Sequence, residues 1–311
     1  VVPPCVPPTS VSLGLVPNTT SLCQASNLTI RGIIDTTGLT PLNGSYYFGW
    51  YKGGVLVSPI TNVYADLVLT SVAPADAATY MLKVEDGNNG YNVCLKSASS
   101  AITVDATVVP GTIAASQTIC NGNSAAAFTS ILAASGGNGT TPSYQWISSS
   151  NGTSGWSPIA SATNATYSAG AISTTTFYKR SVSIGSACPG DSSNVVSITV
   201  NPTLVASTIS ASQAICSNAI PAALIESVAP TGGTGSYTYQ WQSSANGTSG
   251  WANASGSSTS NGYAPPALAA TTFYREVVSS GTCTAVNSNV VTITVSQGIP
   301  TIAITAVSPI C

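Results

Sequence analysis

The chain has 311 residues, of which only seven are Lys or Arg and nine are Asp or Glu, and His is absent. So sparse a basic content excludes an electrostatic nucleic-acid binder, which needs a dense basic patch against the phosphates, and the missing His excludes Ser-His-Asp and Cys-His catalytic centres. Eight Cys without a Cys-x-x-Cys pair read as disulfides, not metal ligands, and place the chain in an oxidising setting: extracellular, secreted or cell-surface.

Short β-branched and aromatic runs, punctuated by Gly, Asn, Ser and Pro, predict an all-β chain. Residues 1–106 form a first module, with 1–10 as an N-terminal extension. Its Cys23 precedes the core candidate Trp50, and Ile102 and Val104 alternate with polar residues in a closing strand. Within Glu85-Asp86-Gly87-Asn88-Asn89-Gly90, Glu85 and Asp86 are candidate Ca²⁺ ligands, with Asp105 assisting through a third carboxylate. The same Gly and Asn residues suit a solvated hairpin turn, which is the preferred reading.

A second module, 107–201, and a third, 202–296, repeat one another. Tyr144-Gln145-Trp146 recurs as Tyr239-Gln240-Trp241, Asn-Gly-Thr-Ser-Gly-Trp at 151–156 recurs at 246–251, and Ser-Asn-Val-Val at 193–196 recurs at 288–291, each displaced by 95 residues. Repetition on this scale marks an array whose function is spread along a surface. The Asn-Gly turn predicts a hairpin, with Trp146 and Trp241 on one arm as core residues and Trp156 and Trp251 on the other arm packing against them. The alternative for Trp156 and Trp251 is a stacking platform for sugar rings. Val196, Ile198 and Val200, like Val291, Ile293 and Val295, predict closing strands with one apolar face. Each closing strand then runs into a Pro-containing linker such as Val109-Pro110 or Asn201-Pro202, and linkers this short predict modules stacked as a semi-rigid rod. Residues 297–311 repeat the opening of a module, with Ala303-Ile304 and Ile310-Cys311 echoing Thr112-Ile113 and Ile119-Cys120, and read as the first strand of a fourth module or as an inter-subunit strand.

Cys23, Cys120 and Cys216 open the modules, whereas Cys94, Cys188 and Cys283 follow the sixth strand of each. Two pairings stay open. Closure within each module gives 23–94, 120–188 and 216–283, leaving Cys5 and Cys311 unpaired or inter-subunit. Alternatively, in a seven-strand sandwich a Cys before the second strand lies where the chain leaves the module. It then meets the next module's Cys, giving 23–188 and 120–283 with Cys5 near Cys94, and Cys216 and Cys311 left for a following module or subunit.

Asp76-Ala77-Ala78-Thr79-Tyr80 resembles the tyrosine-corner segment of the immunoglobulin family, and Trp50 stands 27 residues after Cys23, in the position of that family's core tryptophan. The first module departs from the family at Leu82, where the second Cys belongs. Modules two and three, through Tyr-Gln-Trp, Thr-Thr-Phe-Tyr at 175–178 and 271–274, the Cys that follows, and Ser-Asn-Val-Val-x-Ile-Thr-Val, resemble Ig-like and PKD-like repeats of large secreted surface proteins of Bacteroidota bacteria. The resemblance implies tandem Ig-like β-sandwiches, and families of adhesins, gliding-associated proteins and stalks of secreted enzymes. Asp35-Thr36-Thr37 resembles the O-glycosylation acceptor pattern of such proteins, with Thr36 as acceptor. Eight Asn-x-Ser/Thr triplets, Asn151 and Asn246 among them, read as turn chemistry or glycan acceptors.

The expectation is a structural or adhesive surface protein, part of a fibre or long repeat array, that associates with itself. The alternative is a stalk module that binds a surface glycan or protein. Neither reading calls for a cofactor, nucleic acid or a membrane span, since no apolar run approaches the ~18 residues a span requires. No enzyme is expected either: the acids of modules two and three, Asp191, Glu226 and Glu276, do not repeat together as a hydrolytic pair would.

Overall fold

The structure, a computed structural model, describes residues 6–39, 45–86 and 94–297. It is all-β apart from a short 3-10 turn at Pro74–Asp76. Among the described residues no helix is long and apolar enough to cross a membrane. The chain divides into two compact units: Val1–Ala115, Ala127–Tyr167 and Phe177–Val196 form one, and Ser116–Ala126, Ser168–Thr176 and Ser197–Cys311 the other.

In the first unit, Leu28–Asp35 lies antiparallel between Ser10–Val16 and Leu67–Leu69. A second sheet runs Val55–Leu56, Tyr46–Lys52, Ala78–Asp86 and Leu95–Val109. Strand alternation sends Tyr80, Leu82 and Val84 inward, where they meet Leu28 and Ile30 of the facing sheet and Trp50, Ile102 and Val104 of their own. Each such aliphatic side chain contributes about 1.5–3 kcal/mol on full burial. The tyrosine corner is formed: Tyr80 Oη donates to Asp76 O at 2.9 Å. Trp50 Nε1 donates to Ala65 O at 2.9 Å, so its buried ring leaves no polar atom unsatisfied. Tyr80→Phe, which removes only the corner bond, is expected to destabilise the first module by about 1 kcal/mol in urea unfolding. Leu82 occupies the family's second Cys position and is wholly buried, so the core here is closed by an aliphatic side chain.

The closing strand Leu95–Val109 runs up to Pro110 and pairs with Ser135–Gly137 of the next repeat, Val109 opposite Ser135 and Ala106 opposite Gly137. The same unit holds the hairpin Ser143–Ser149 and Ser157–Pro158, paired with the strand Thr176–Ser183 from Ser143↔Ser183 to Ser149↔Phe177. Its aromatic core stacks Trp146 between Phe128 and Tyr167 at 5.9 and 5.5 Å.

In the second unit, Gln117–Cys120 runs parallel to Val196–Asn201. The third repeat builds one sheet from Thr208–Ile209, Leu224–Val228 and Gly262–Tyr263. Its other sheet is built from Gln213–Cys216, Val291–Ser296, Thr272–Ser280, Thr238–Ser244 and Ala252–Asn253. Ile209, Leu224, Trp241, Tyr263, Tyr274, Val291 and Ile293 fill the space between them.

Candidate functional site

Three short strands, Ser21–Cys23, Gln117–Cys120 and Gln213–Cys216, each run parallel to a closing strand and end on a Cys that pairs with it: Cys23↔Asp105, Cys120↔Asn201 and Cys216↔Ser296. Cys94 immediately precedes Leu95, at the other end of the first closing strand. Ten extended residues separate Leu95 from Asp105, roughly 33 Å, against a limit of ~7 Å between bridged Cα atoms. Closure of Cys23 on Cys94 is therefore ruled out by strand length.

The bridges run forward to the following repeat. Cys23 pairs with Cys188 at a Cα–Cα distance of 4.6 Å, and Cys120 with Cys283 at 5.4 Å. Of the two pairings the sequence left open, the forward one holds, as 23–188 and 120–283, and closure as 23–94, 120–188 and 216–283 does not. Cys94 is disulfide-bonded as well. Cys216, exposed, carries a free thiol. Cys5 and Cys311 lie outside the described residues.

Each bridge is embedded in a small apolar cluster. In the first unit Val108, Val182, Ile184 and Cys188 are buried together against Cys23, Ala134 and Tyr144. In the second, Cys120, Leu204, Val278 and Cys283 are buried against Tyr237, Tyr239 and Val286. Beside each cluster sits a Gly-Gly pair at positive φ that no reading of turns singled out. A Cβ on Gly136 would stand 1.9 Å from Thr107 O, and one on Gly137 2.2 Å from Ile184 O. On Gly232 it would stand 2.0 Å from Thr203 O, and on Gly233 2.4 Å from Ser280 Oγ. The signal was present in the sequence as a Gly-Gly recurring at 136–137 and 232–233. Its meaning is close backbone approach, which only a residue without Cβ permits.

Trp146 and Trp241 are fully buried, their Nε1 atoms donating to Asn164 O and Ser260 O, both at 2.9 Å. Trp156 and Trp251 do not meet them, correcting the expected packing across the hairpin. Trp146 points into the core, whereas its neighbour Ile147 shares the outer face with Lys179. Trp156 lands on that outer face, half-buried, with Lys179 Nζ 4.5 Å above its ring. Arg275 lies 4.4 Å over Trp251, held there by two bonds to Gln242 Oε1 at 3.0 and 2.8 Å. A cation thus covers one face of each ring.

The three candidate Ca²⁺ ligands are not brought together. Glu85 and Asp86 are consecutive in a strand and point to opposite faces. Asp86 is buried and accepts from Val6 N at 3.1 Å, and Asp105 lies ten residues along from Leu95, the partner of Glu85. Among the described residues no three of His, Cys, Asp and Glu are grouped to hold a metal, and 87–90 lie outside them. Thr36 is half-buried beside Asp35, whose Oδ1 accepts from Thr37 N and Oγ1 at 2.9 and 2.6 Å, and these bonds hold the Asp35 carboxyl below its usual range. Asn151 Oδ1 accepts from Thr153 N and Ser154 N, both at 2.9 Å, and Asn246 repeats this with Thr248 N and Ser249 N. Both triplets therefore serve as Asx turns.

Several proteins of known structure align with this chain. The titin domains I67-I69 in an E-to-A mutated variant align over 89% of this chain and 95% of their own length, at 13% identity and a TM-score of 0.52. Three N-terminal domains of the bacteriophage RB49 Highly Immunogenic Outer Capsid protein align over 93% of this chain and 99% of theirs, at 12% identity and a TM-score of 0.39. A "Ca2+-stabilized adhesin" with which an Antarctic bacterium binds ice aligns over 94% and 75%, at 13% identity and a TM-score of 0.42. The titin likeness shows the fold, tandem Ig-like domains. No curated protein matches the chain. Residues 109–202 and 205–297 each match the family described as "Domain of unknown function (DUF8696)". The PKD-like and Bacteroidota parts of the resemblance find no support in these matches.

Proposed function

We propose that this chain, which belongs to the DUF8696 family through two successive repeats, is a non-catalytic segment of an extracellular tandem-domain array with a mechanical task. In this reading the modules are residues 1–106, 107–201 and 202–296, and each is tied covalently to the next by a cysteine at its exit. One observation carries it: Cys23, Cys120 and Cys216 end equivalent parallel strands, the first two bridge forward by 165 and 163 residues, and the third is exposed and free. Cys216 is then the attachment point for the corresponding cysteine of a further module or of a second copy. Two buried apolar clusters around the existing bridges support a junction built to resist bending, and the disulfides support an oxidising, extracellular setting.

Non-reducing peptide mapping tests this. In material oxidised at high protein concentration, Cys216 is expected in an intermolecular bridge, and Cys216→Ser is expected to leave the chain monomeric. A parent chain that stays monomeric with Cys216 open to alkylation overturns the reading.

A further inference from the structure

Between residues 202 and 296 the sequence has three charged side chains, Glu226, Arg275 and Glu276. Arg275 sits on the outer face with Gln242 and Trp251. Glu276, its neighbour in the strand Thr272–Ser280, faces inward opposite Trp241 and is wholly buried. Glu226, on Leu224–Val228 of the facing sheet, lies beside it, its Oε1 buried like that of Glu276. Ser207 Oγ donates to Glu276 Oε2. The Oε1 atoms of both glutamates are buried and find no donor among the protein's groups.

Two carboxylate ions in that position would be untenable. Each buried ion costs several kcal/mol without a partner, and no cation faces them. The titratable group set beside both carboxyls is a phenol, Tyr239 of the adjoining strand, while Tyr263 and Tyr274 share the module core with Trp241, which stands opposite Glu276. A single proton resolves the arrangement, because a carboxyl O–H on one glutamate donates to the carboxylate of the other, as in other carboxyl dyads. The pair is particular to this repeat. At the equivalent places the second repeat has Arg180, opposite Trp146, and Ser130, the one donating to the other. Arg180 N and Glu276 N are held alike, by Ser193 Oγ and Ser288 Oγ.

We propose that Glu226 and Glu276 share one proton and so form a latch between the two sheets of the third module, closed in mildly acidic medium and released when that proton leaves. Burial, opposed by the bond from Ser207 and reinforced by Glu226, pushes Glu276 up to about 7, and burial pushes Glu226 upward too. Both folded-state values therefore lie above the unfolded ones. The folded chain binds the extra proton between the ordinary carboxyl range and about 7, so the stabilisation is complete below that range and is lost as pH rises through about 7.

The chain has three Glu in all, Glu85 being the third, so carboxyl-labelled glutamate gives three ¹³C resonances in the intact protein, assignable by Glu→Gln variants. The expected result is one resonance of the pair titrating near neutrality, and a fall in the third module's urea midpoint between about pH 5 and about pH 8.5 that Glu226→Gln with Glu276→Gln abolishes. If all three resonances titrate together around pH 4.3, or the parent's midpoint does not fall over that interval, the latch is overturned. The resonances of the unmodified chain decide the matter even where the double variant does not fold.

Discussion

Replacing Cys23 and Cys188 by Ser is expected to lower the stability of the folded chain by about 5 kcal/mol on the loop-entropy account, because the bridge closes a loop of 165 residues. The same holds for Cys120 and Cys283, separated by 163 residues. The effect resides in the unfolded state: without the bridge, the denatured chain regains the freedom to separate those two points. The measurement is guanidinium unfolding of the Ser variants beside the parent, without reductant. A large loss of midpoint is expected, with native near-ultraviolet dichroism retained, since Tyr80, Leu82, Trp50 and their neighbours keep the first module's core. An unchanged midpoint would show that the bridge does not restrain the denatured chain.

The second large effect is expected at the paired glycines. Gly136→Ala and Gly232→Ala each place a methyl group against a backbone carbonyl, Thr107 O at 1.9 Å and Thr203 O at 2.0 Å, from backbone at φ +88° and +77°. Left-handed backbone costs Ala about 1–2 kcal/mol, and forcing atoms into a filled space adds about 1–3 kcal/mol, so a loss of roughly 3 kcal/mol is expected for each. Gly122→Ala and Gly235→Ala are the matched controls. Both have φ +80° with nothing within 4 Å of the added Cβ, and they should lose only the backbone share, about 1–2 kcal/mol. Equal losses at all four positions in thermal unfolding would refute the close-packing role of the Gly-Gly pairs.

What could be read from the sequence was whatever has a short period. Alternation in Val196–Asn201 and Val291–Ser296 located closing strands, and the Tyr-Gln-Trp repeat located two buried indoles, because inward and outward positions are two residues apart. The disulfides were not decidable in the same way. Both pairings use Cys23, Cys94, Cys120, Cys188 and Cys283, and in the first module only the length of the closing strand, some ten residues between the positions at issue, separates them. Trp156 was misplaced for a related reason: which face a turn delivers a side chain to depends on the residues within the turn, here Gly155 at φ +63°. The Gly-Gly pairs were visible but resembled ordinary turn chemistry, and what they approach lies about thirty positions earlier for the first glycine and nearly fifty later for the second. Glu226 and Glu276, fifty residues apart, were set aside because they did not repeat, yet they stand on facing sheets with both Oε1 atoms buried.

The two bridges interleave: Cys120 lies inside the loop closed by Cys23 and Cys188, and Cys188 inside the loop closed by Cys120 and Cys283. A single peptide-bond cut anywhere from residue 24 to residue 282 therefore falls within at least one closed loop. Whichever exposed turn a protease nicks there, the two fragments stay joined by a sulfur–sulfur bond. A chain tied in this way keeps its covalent continuity after one cleavage, and parts only when a cut and a reduction coincide.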